Sequence, residues 1–315
     1  MNYDSILGQS ALVQNLRDSI DTGRIVHAYL FCGPEGTGKR TLAEICARAL
    51  NCRSEGHKPC DQCPACKRFL SGNFPDVFTL QPQKSIGVEE IRQMIAQVQV
   101  KPFEGGRHVV IIQDAGKMTA QAQNALLKTL ESPPEDVVFF LLTDSVQSLL
   151  PTVLSRCRLV RFHPIDEENA VRALTGRGIA PERARLLARL AEGSVGRALK
   201  MQEDEGFFKL RSRVLEALNS LKSPSDAAQC ALMLKDDKNN AQDAFYIMEL
   251  WGRDLMVMQD AHLAPIESDQ AAALENSDLS GQKVLMSLQN ARQRLASNVA
   301  WQSVLEMLFL EIIGG

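Results

Sequence analysis

The sequence predicts an α/β domain with a largely parallel sheet at the front of the chain, followed by helical domains. Three observations carry that expectation. Short apolar runs alternate with helical patterns up to about residue 162, one of those runs feeds a glycine-rich loop that opens a helix, and the β signal disappears after Pro164. The 315 residues exceed one compact core of ordinary size, so two or three domains are expected.

Taken in order, strands are expected at His27 to Cys32, Val77 to Leu80, His108 to Gln113 and Val137 to Thr143, with a fifth at Arg158 to Phe162. Most are short, apolar and closed by polar or turn residues. Glu167 to Leu174 and Pro181 to Ala191 read as two short helices, followed by Glu-Gly-Ser-Val-Gly-Arg197. From Glu205 onward come longer helical patterns, broken near Ser223-Pro224, Asp236 to Asn240, Ala264-Pro265 and Ser277 to Gly281. The expected domains are therefore 1–162 (α/β), 163–204 (small helical) and 205–315 (all-helical). There is no internal repeat and no low-complexity tract.

Hydrophobic residues make up 45% and charged residues 23%, a composition that excludes a disordered chain. The formal net charge is −3, so no global field draws the chain to nucleic acid or anionic lipid, and any DNA contact must be local or shared. The opening residues lack the basic start and apolar core of a secretory signal, which predicts a cytoplasmic protein. Val299 to Ile313 is shorter than a membrane span and carries Gln302, Glu306 and Glu311, so it reads as a buried amphipathic helix. Methionines 233, 248, 256 and 258 are expected as core filler.

Gly33-Pro-Glu-Gly36-Thr37-Gly38-Lys39 follows a predicted strand and opens a helix at Thr41 to Leu50, the context a phosphate-binding loop requires. Glycines let backbone N–H groups point at phosphate oxygens, while the helix N-terminus and Lys39 add positive potential. The alternative is a glycine-rich turn that serves only strand-to-helix packing. The position after the lysine should carry the hydroxyl that holds magnesium, but it is Arg40. Thr41 cannot simply substitute, because one step along a helix turns the side chain by about 100°. At His108-Val-Val-Ile-Ile-Gln-Asp114-Ala115, Asp114 occupies the expected place of a metal-associated carboxylate, and Ala115 that of a second acid which would orient water. Loss of a positioned base typically costs about 10²–10⁴ in rate. The expectation is weak or vestigial ATP binding, with magnesium-dependent hydrolysis negligible.

Cys52, Cys60, Cys63 and Cys66 form C-x7-C-x2-C-x2-C, which brings four thiolates within reach of one tetrahedral Zn²⁺ and closes its shell. A structural zinc site is expected; redox-active cysteines, or His57 in place of Cys52, are the alternatives. The other four cysteines, 32, 46, 157 and 230, lie on apolar segments and read as packing residues. Arg156, in Pro151-Thr-Val-Leu-Ser-Arg156-Cys157, follows the loop after a strand. There it can reach a neighbour's γ-phosphate, or simply pair with a local carboxylate.

Taken together, Leu7-Gly-Gln9, His27-Ala-Tyr-Leu-Phe-Cys-Gly-Pro34, the four cysteines, Asn124-Ala-Leu-Leu-Lys-Thr-Leu-Glu-Ser-Pro-Pro134 and Ser155-Arg156-Cys157 resemble a bacterial DNA polymerase III clamp-loader subunit of the AAA+ class. The resemblance covers residues 1 to about 200. Arg40 and Ala115 resemble the delta-prime branch rather than the ATP-hydrolysing gamma/tau branch, which is the alternative. Gly196 stands where active subunits place a sensing arginine, and Thr143 matches the family's first-sensor position, where its hydroxyl could equally cap the strand end. The resemblance implies an AAA+ domain, a lid and a collar that holds five subunits in a ring. It implies gamma/tau and delta as partners, the sliding clamp and primer-template DNA as targets of the assembly, and Arg156 as a finger supplied in trans. A rival reading is a zinc-dependent nucleic-acid binder, but only Lys58, Lys67 and Arg68 lie near the cysteines, a small electrostatic footprint.

Overall fold

The structure, a computed structural model, describes residues 2–104, 106–258, 265–266 and 268–314. The chain divides into two compact units, 1–169 and 170–315. The first contains α1 (Ser10–Asp21), β1 (Ala28–Cys32), α2 (Lys39–Leu50), α3 (Pro64–Leu70), β2 (Val77–Leu80), α4 (Val88–Gln97), β3 (His108–Ile112), α5 (Ala120–Glu131), β4 (Val137–Thr143), α6 (Pro151–Leu154) and β5 (Arg158–Arg161). All five predicted runs are strands, each end within one residue of its expected position.

The strands lie parallel in the order β2-β3-β4-β1-β5. Parallel neighbours need crossover connections, and these cover both faces of the sheet. That is why β1, β3 and β4 are buried along their whole length and read as unbroken apolar runs. Alternation still sorts their side chains. Tyr29, Phe31, Val109, Ile111, Val138, Phe140 and Leu142 pack with α1 and α2 on one face. Leu30, Val110, Ile112, Phe139 and Leu141 pack with α4 and α5 on the other. On the α2 face, Tyr29 stacks on Phe140 at 5.4 Å between ring centroids, and Phe31 meets Phe162 at 5.1 Å.

The carboxyl ends of the strands form one edge. The Gly33 N–H donates to the Thr143 carbonyl at 3.2 Å, and the Phe162 N–H to the Cys32 carbonyl at 2.7 Å. Gly33 is required here: its φ is +155°, and a Cβ would collide with the Phe162 carbonyl.

α7 (Glu167–Thr175) spans the boundary between the units. The second unit continues with α8 (Pro181–Leu190), α9 (Val195–Glu203), α10 (Glu205–Ser220), α11 (Ala227–Met233), α12 (Ala241–Val257), α13 (Ala271–Glu275), α14 (Gly281–Ala296) and α15 (Trp301–Ile313). The predicted breaks at 223–224, 236–240 and 277–281 fall at or between helix ends; of the remaining one, Ala264 lies outside the described residues. Side chains cap several helices: Ser194, Asp204 and Ser280 accept backbone N–H bonds at the starts of α9, α10 and α14, each worth about 1 kcal/mol. Trp251, Phe245 and Phe309 are fully buried among these helices, and the Trp301 indole donates to the Leu234 carbonyl at 2.8 Å.

Residues 170–204 and 205–315 share this one unit, joined by the Tyr246 hydroxyl donating to the Leu190 carbonyl and by Arg197 lying 3.7 Å over the Tyr246 ring. One packing expectation fails. Met248 is buried, but Met256 is 47% exposed, because eight residues along a helix leave it about 80° from Met248 around the axis.

Candidate functional site

The Gly33 to Lys39 loop sits at the end of β1, and α2 begins at Lys39. Gly36 and Gly38 take φ values of +76° and +94°, the left-handed conformation that turns successive backbone N–H groups to one side. No side chain caps α2, and its first turn carries no acid. The Thr37 hydroxyl is turned inward and donates to the Pro34 carbonyl at 2.8 Å. Lys39 folds back over the loop. Its ammonium donates to the Gly33 and Pro34 carbonyls, the latter at 2.9 Å, and pairs with Asp144 at 2.7 Å.

Arg40 is mostly exposed. Its Nε pairs with Glu44 at 2.7 Å, and its Nη1 approaches the Gln113 Oε1 at 3.5 Å. Thr41 does not turn toward the loop. It lines a cavity of about 440 Å³ bounded by α2, α3, β2 and β3, together with Arg48, Phe69 and Ile111.

The strand-end residues differ from expectation. Gln113, not Asp114, faces α2, because the alternation that puts Val109 and Ile111 on that side carries one step past the strand. Gln113 was missed in the sequence although its period-two register was readable there. Its side chain is buried, and its amide nitrogen has no hydrogen-bond partner. Asp114, at φ +47°, is half exposed and pairs with Lys117 at 2.8 Å; that contact raises the Lys117 pKa. Ala115 is buried in the core on the α4 and α5 face, so it does not stand where a water-orienting acid would act. The expectation that Asp114 is the retained metal-associated carboxylate and Ala115 the lost second acid is thus corrected: Gln113 faces α2 in the place expected of Asp114, while Asp114 pairs with Lys117.

The Thr143 hydroxyl donates to the Ser145 carbonyl at 2.9 Å, accepts the Ser145 N–H at 3.3 Å and lies 3.1 Å from the Ser148 hydroxyl. It caps the end of β4.

The Sγ atoms of Cys52, Cys60, Cys63 and Cys66 all lie within 4.8 Å of one another. Zn–S bonds of about 2.3 Å in a tetrahedron separate sulfurs by about 3.8 Å, so this donor set fits one such ion. Backbone N–H groups of Gln62 and Cys63 lower the Cys60 pKa. At Cys63 burial acts upward, but hydrogen bonds from the Cys66 and Arg53 backbone and from neighbouring thiols outweigh it and bring the pKa to about 6. His57 is not in the cluster, and its Nδ1 lies 2.6 Å from Arg17. Of the other cysteines, Cys32, Cys46 and Cys230 are buried and Cys157 is partly so.

Arg156 follows α6, near the strand edge. It pairs with Glu131 at the end of α5 at 2.5 Å and donates to the Thr152 carbonyl at 2.8 Å. Both ends of the ion pair are partly open to solvent, 32% exposed on the arginine and 51% on the glutamate.

A parallel sheet in this order, with a glycine loop leaving β1 for α2, defines a P-loop protein with the AAA+ fold. A DNA polymerase III gamma-subunit-related protein of Thermotoga maritima has a similar fold, with a TM-score of 0.50 at 19% identity over 95% of this chain and 98% of its own. A family model described as DNA polymerase III, delta subunit, matches residues 8–166. The delta-prime subunit of Bacillus subtilis is 30% identical over 98% of this chain and 97% of its own length. The delta-prime subunit of Escherichia coli is 37% identical over 65% of this chain and 63% of its own. The E. coli tau subunit is 36% identical, but over 64% of this chain and only 30% of its own. The chain belongs to the DNA polymerase III delta-prime family of clamp-loader subunits. Among its described residues, no helix is long and apolar enough to cross a membrane.

Proposed function

We propose that this chain is a catalytically degenerate clamp-loader subunit that presents Arg156 to ATP bound on an adjacent gamma/tau subunit. The observation that carries the reading is the contact between Arg40 and Gln113. Magnesium in a P-loop ATPase is held by a hydroxyl next to the lysine and by a strand-end acid; here a guanidinium and an amide occupy those two positions. Magnesium does not fit that pair, and Thr41, turned into a separate cavity, does not replace the missing hydroxyl. These features weigh against the gamma/tau-like alternative, in which this chain hydrolyses ATP itself.

Arg156 is held by an exposed carboxylate, a kind of pair worth about 0–1 kcal/mol. A neighbour's phosphate can therefore take the guanidinium from Glu131 at little cost, and a finger supplied in this way contributes about 10³–10⁵ in rate. The partners under this reading are gamma/tau and delta subunits in a five-membered ring in the cytoplasm, acting on the sliding clamp at primer-template DNA. Residues 163–204 serve as the lid and 205–315 as the collar. Exposed Met286 on α14 and Met307 and Leu310 on α15 give the collar apolar surface for its neighbours. The four cysteines hold a structural zinc ion.

Arg156→Ala should lower ATP turnover and clamp loading in the reconstituted ring by about 10³ or more while the ring still assembles. Unchanged loading, or brisk turnover by the isolated wild-type chain, would overturn the reading.

A further inference from the structure

Between α4 and β3 the chain runs through Val100-Lys-Pro-Phe103-Glu104. Two of these side chains stand in solvent: Val100 is 65% exposed and Phe103 82%, the highest value among the large apolar residues described. The backbone beneath them is fixed. The buried Asp76 carboxylate accepts the N–H groups of Phe103 and Glu104 at 2.7 and 2.8 Å, and His108 Nε2 lies 3.0 Å from the Val100 carbonyl oxygen. Glu104 turns its carboxylate inward, where it pairs with Arg53 at 3.1 Å and Arg68 at 2.6 Å; Arg53 also donates to the Glu104 carbonyl at 2.9 Å. A loop tied down in this way holds its exposed ring ready, so little ordering remains to be done when a partner arrives.

Charge selects the partner. One carboxylate does not neutralise two guanidiniums, and both arginines remain about half exposed, 56% for Arg53 and 45% for Arg68. Lys101, exposed and without an ion pair among the described residues, adds a third cation beside the ring. The loop's own acid, Glu104, is the one turned inward. An apolar protein pocket would accept Val100 and Phe103 but leave this positive charge uncompensated, whereas a nucleic-acid strand offers phosphates to the cations and a base to the ring. A duplex keeps its base faces inside its own stack, so the match is to unpaired bases. We propose that the Val100 to Glu104 loop is a contact for single-stranded nucleic acid, in which Phe103 stacks on a base while Arg53, Arg68 and Lys101 take the flanking phosphates. The positive footprint beside the cysteines is thus larger than Lys58, Lys67 and Arg68 provide, because Glu104 ties the loop that carries Lys101 to Arg53 and Arg68. This inference does not rest on the role assigned to Arg156.

The test is fluorescence anisotropy of the full chain with a dye-labelled oligothymidylate of about twelve nucleotides in low salt, beside a duplex of the same length. The single strand should bind at least about fivefold more tightly than the duplex. Phe103→Ala alters a side chain with little packing to lose and should weaken that binding about fivefold or more. Phe103→Leu should do the same and Phe103→Tyr should bind as the wild type does, because stacking needs the ring. Three phosphate contacts predict that log K falls against log salt with a slope of about −2, which Lys101→Ala should make shallower by about 0.7. Melting curves confirm the fold of each variant. The inference is overturned by no binding at about 100 μM chain, by a duplex that binds as tightly as the single strand, or by a Phe103→Leu variant that matches the wild type. It is also overturned if Phe103→Ala weakens association with gamma/tau subunits while the oligonucleotide binds unchanged, since the loop is then a protein contact. None of these results touches the ring-turnover measurement on Arg156→Ala, so the two readings fail separately.

Discussion

At Asp269 burial acts to raise the carboxyl pKa, but the Arg211 guanidinium, with bonds of 2.9 and 2.7 Å, holds it below the usual carboxylate range. A carboxylate depressed in the folded state stabilises above its unfolded pKa of about 3.9, and that contribution is lost as pH falls through the lower folded value. Asp269→Asn should therefore lower stability by roughly 1 kcal/mol at neutral pH, a figure kept small because the carboxylate is 40% exposed. The gap to wild type should close as the pH drops below the ordinary carboxylate range. Denaturant melts at a series of pH values measure it; a gap that stays constant with pH would mean the ion pair is not its source. The same scale holds the least legible parts of the candidate site. Lys39 and Arg156 were both recognisable by position, but that one bends onto its own loop and the other onto Glu131 depends on carboxylates 105 and 25 residues away in the chain.

The element with the least packing of its own is the cysteine module. α3 has seven residues, too few to persist as an isolated helix. Its surroundings are held by polar ties: Arg48 to Asp61 at 3.2 Å, Arg53 and Arg68 to the buried Glu104 at 3.1 and 2.6 Å, and the Phe103 and Glu104 N–H groups to Asp76 at 2.7 and 2.8 Å. Elemental analysis should find one zinc per chain. A strong chelator should release it and make the cluster's thiols reactive to a thiol reagent, with protection restored when zinc is returned. The clustering of the four cysteines was readable from their spacing, because short steps along the chain keep the thiols close. The cavity beside it, with Thr41 on its wall, was not readable, because it forms only where α3 meets the edge of a sheet built from distant segments.

At the scale of the whole molecule, each of the two compact units carries its own buried core, one built on the sheet and one on the helices around Trp251. Calorimetric unfolding should resolve two transitions, and chelation should move only the one that belongs to residues 1–169. A single transition shifted as a whole would show that the units unfold together. β1 to β4 were legible because each is a fully or partly buried, mainly apolar run; β5, Arg-Leu-Val-Arg with three of its four residues exposed, carries a weaker signal. The sharing of one unit by residues 170–204 and 205–315 was not, because it rests on contacts such as Tyr246 to Leu190, 56 residues apart.

By itself the sequence determined the α/β class, the glycine loop that opens α2, the absence of a hydroxyl at Arg40 and the clustering of the four cysteines. Each of these is written in residue type at short spacing, where backbone geometry alone brings the groups together. Tertiary structure decided that Gln113 rather than Asp114 meets Arg40, that Thr41 turns aside into a cavity and that Met256 faces solvent. Side-chain direction at the end of a strand or around a helix is set by what packs against it, and those neighbours come from far along the chain.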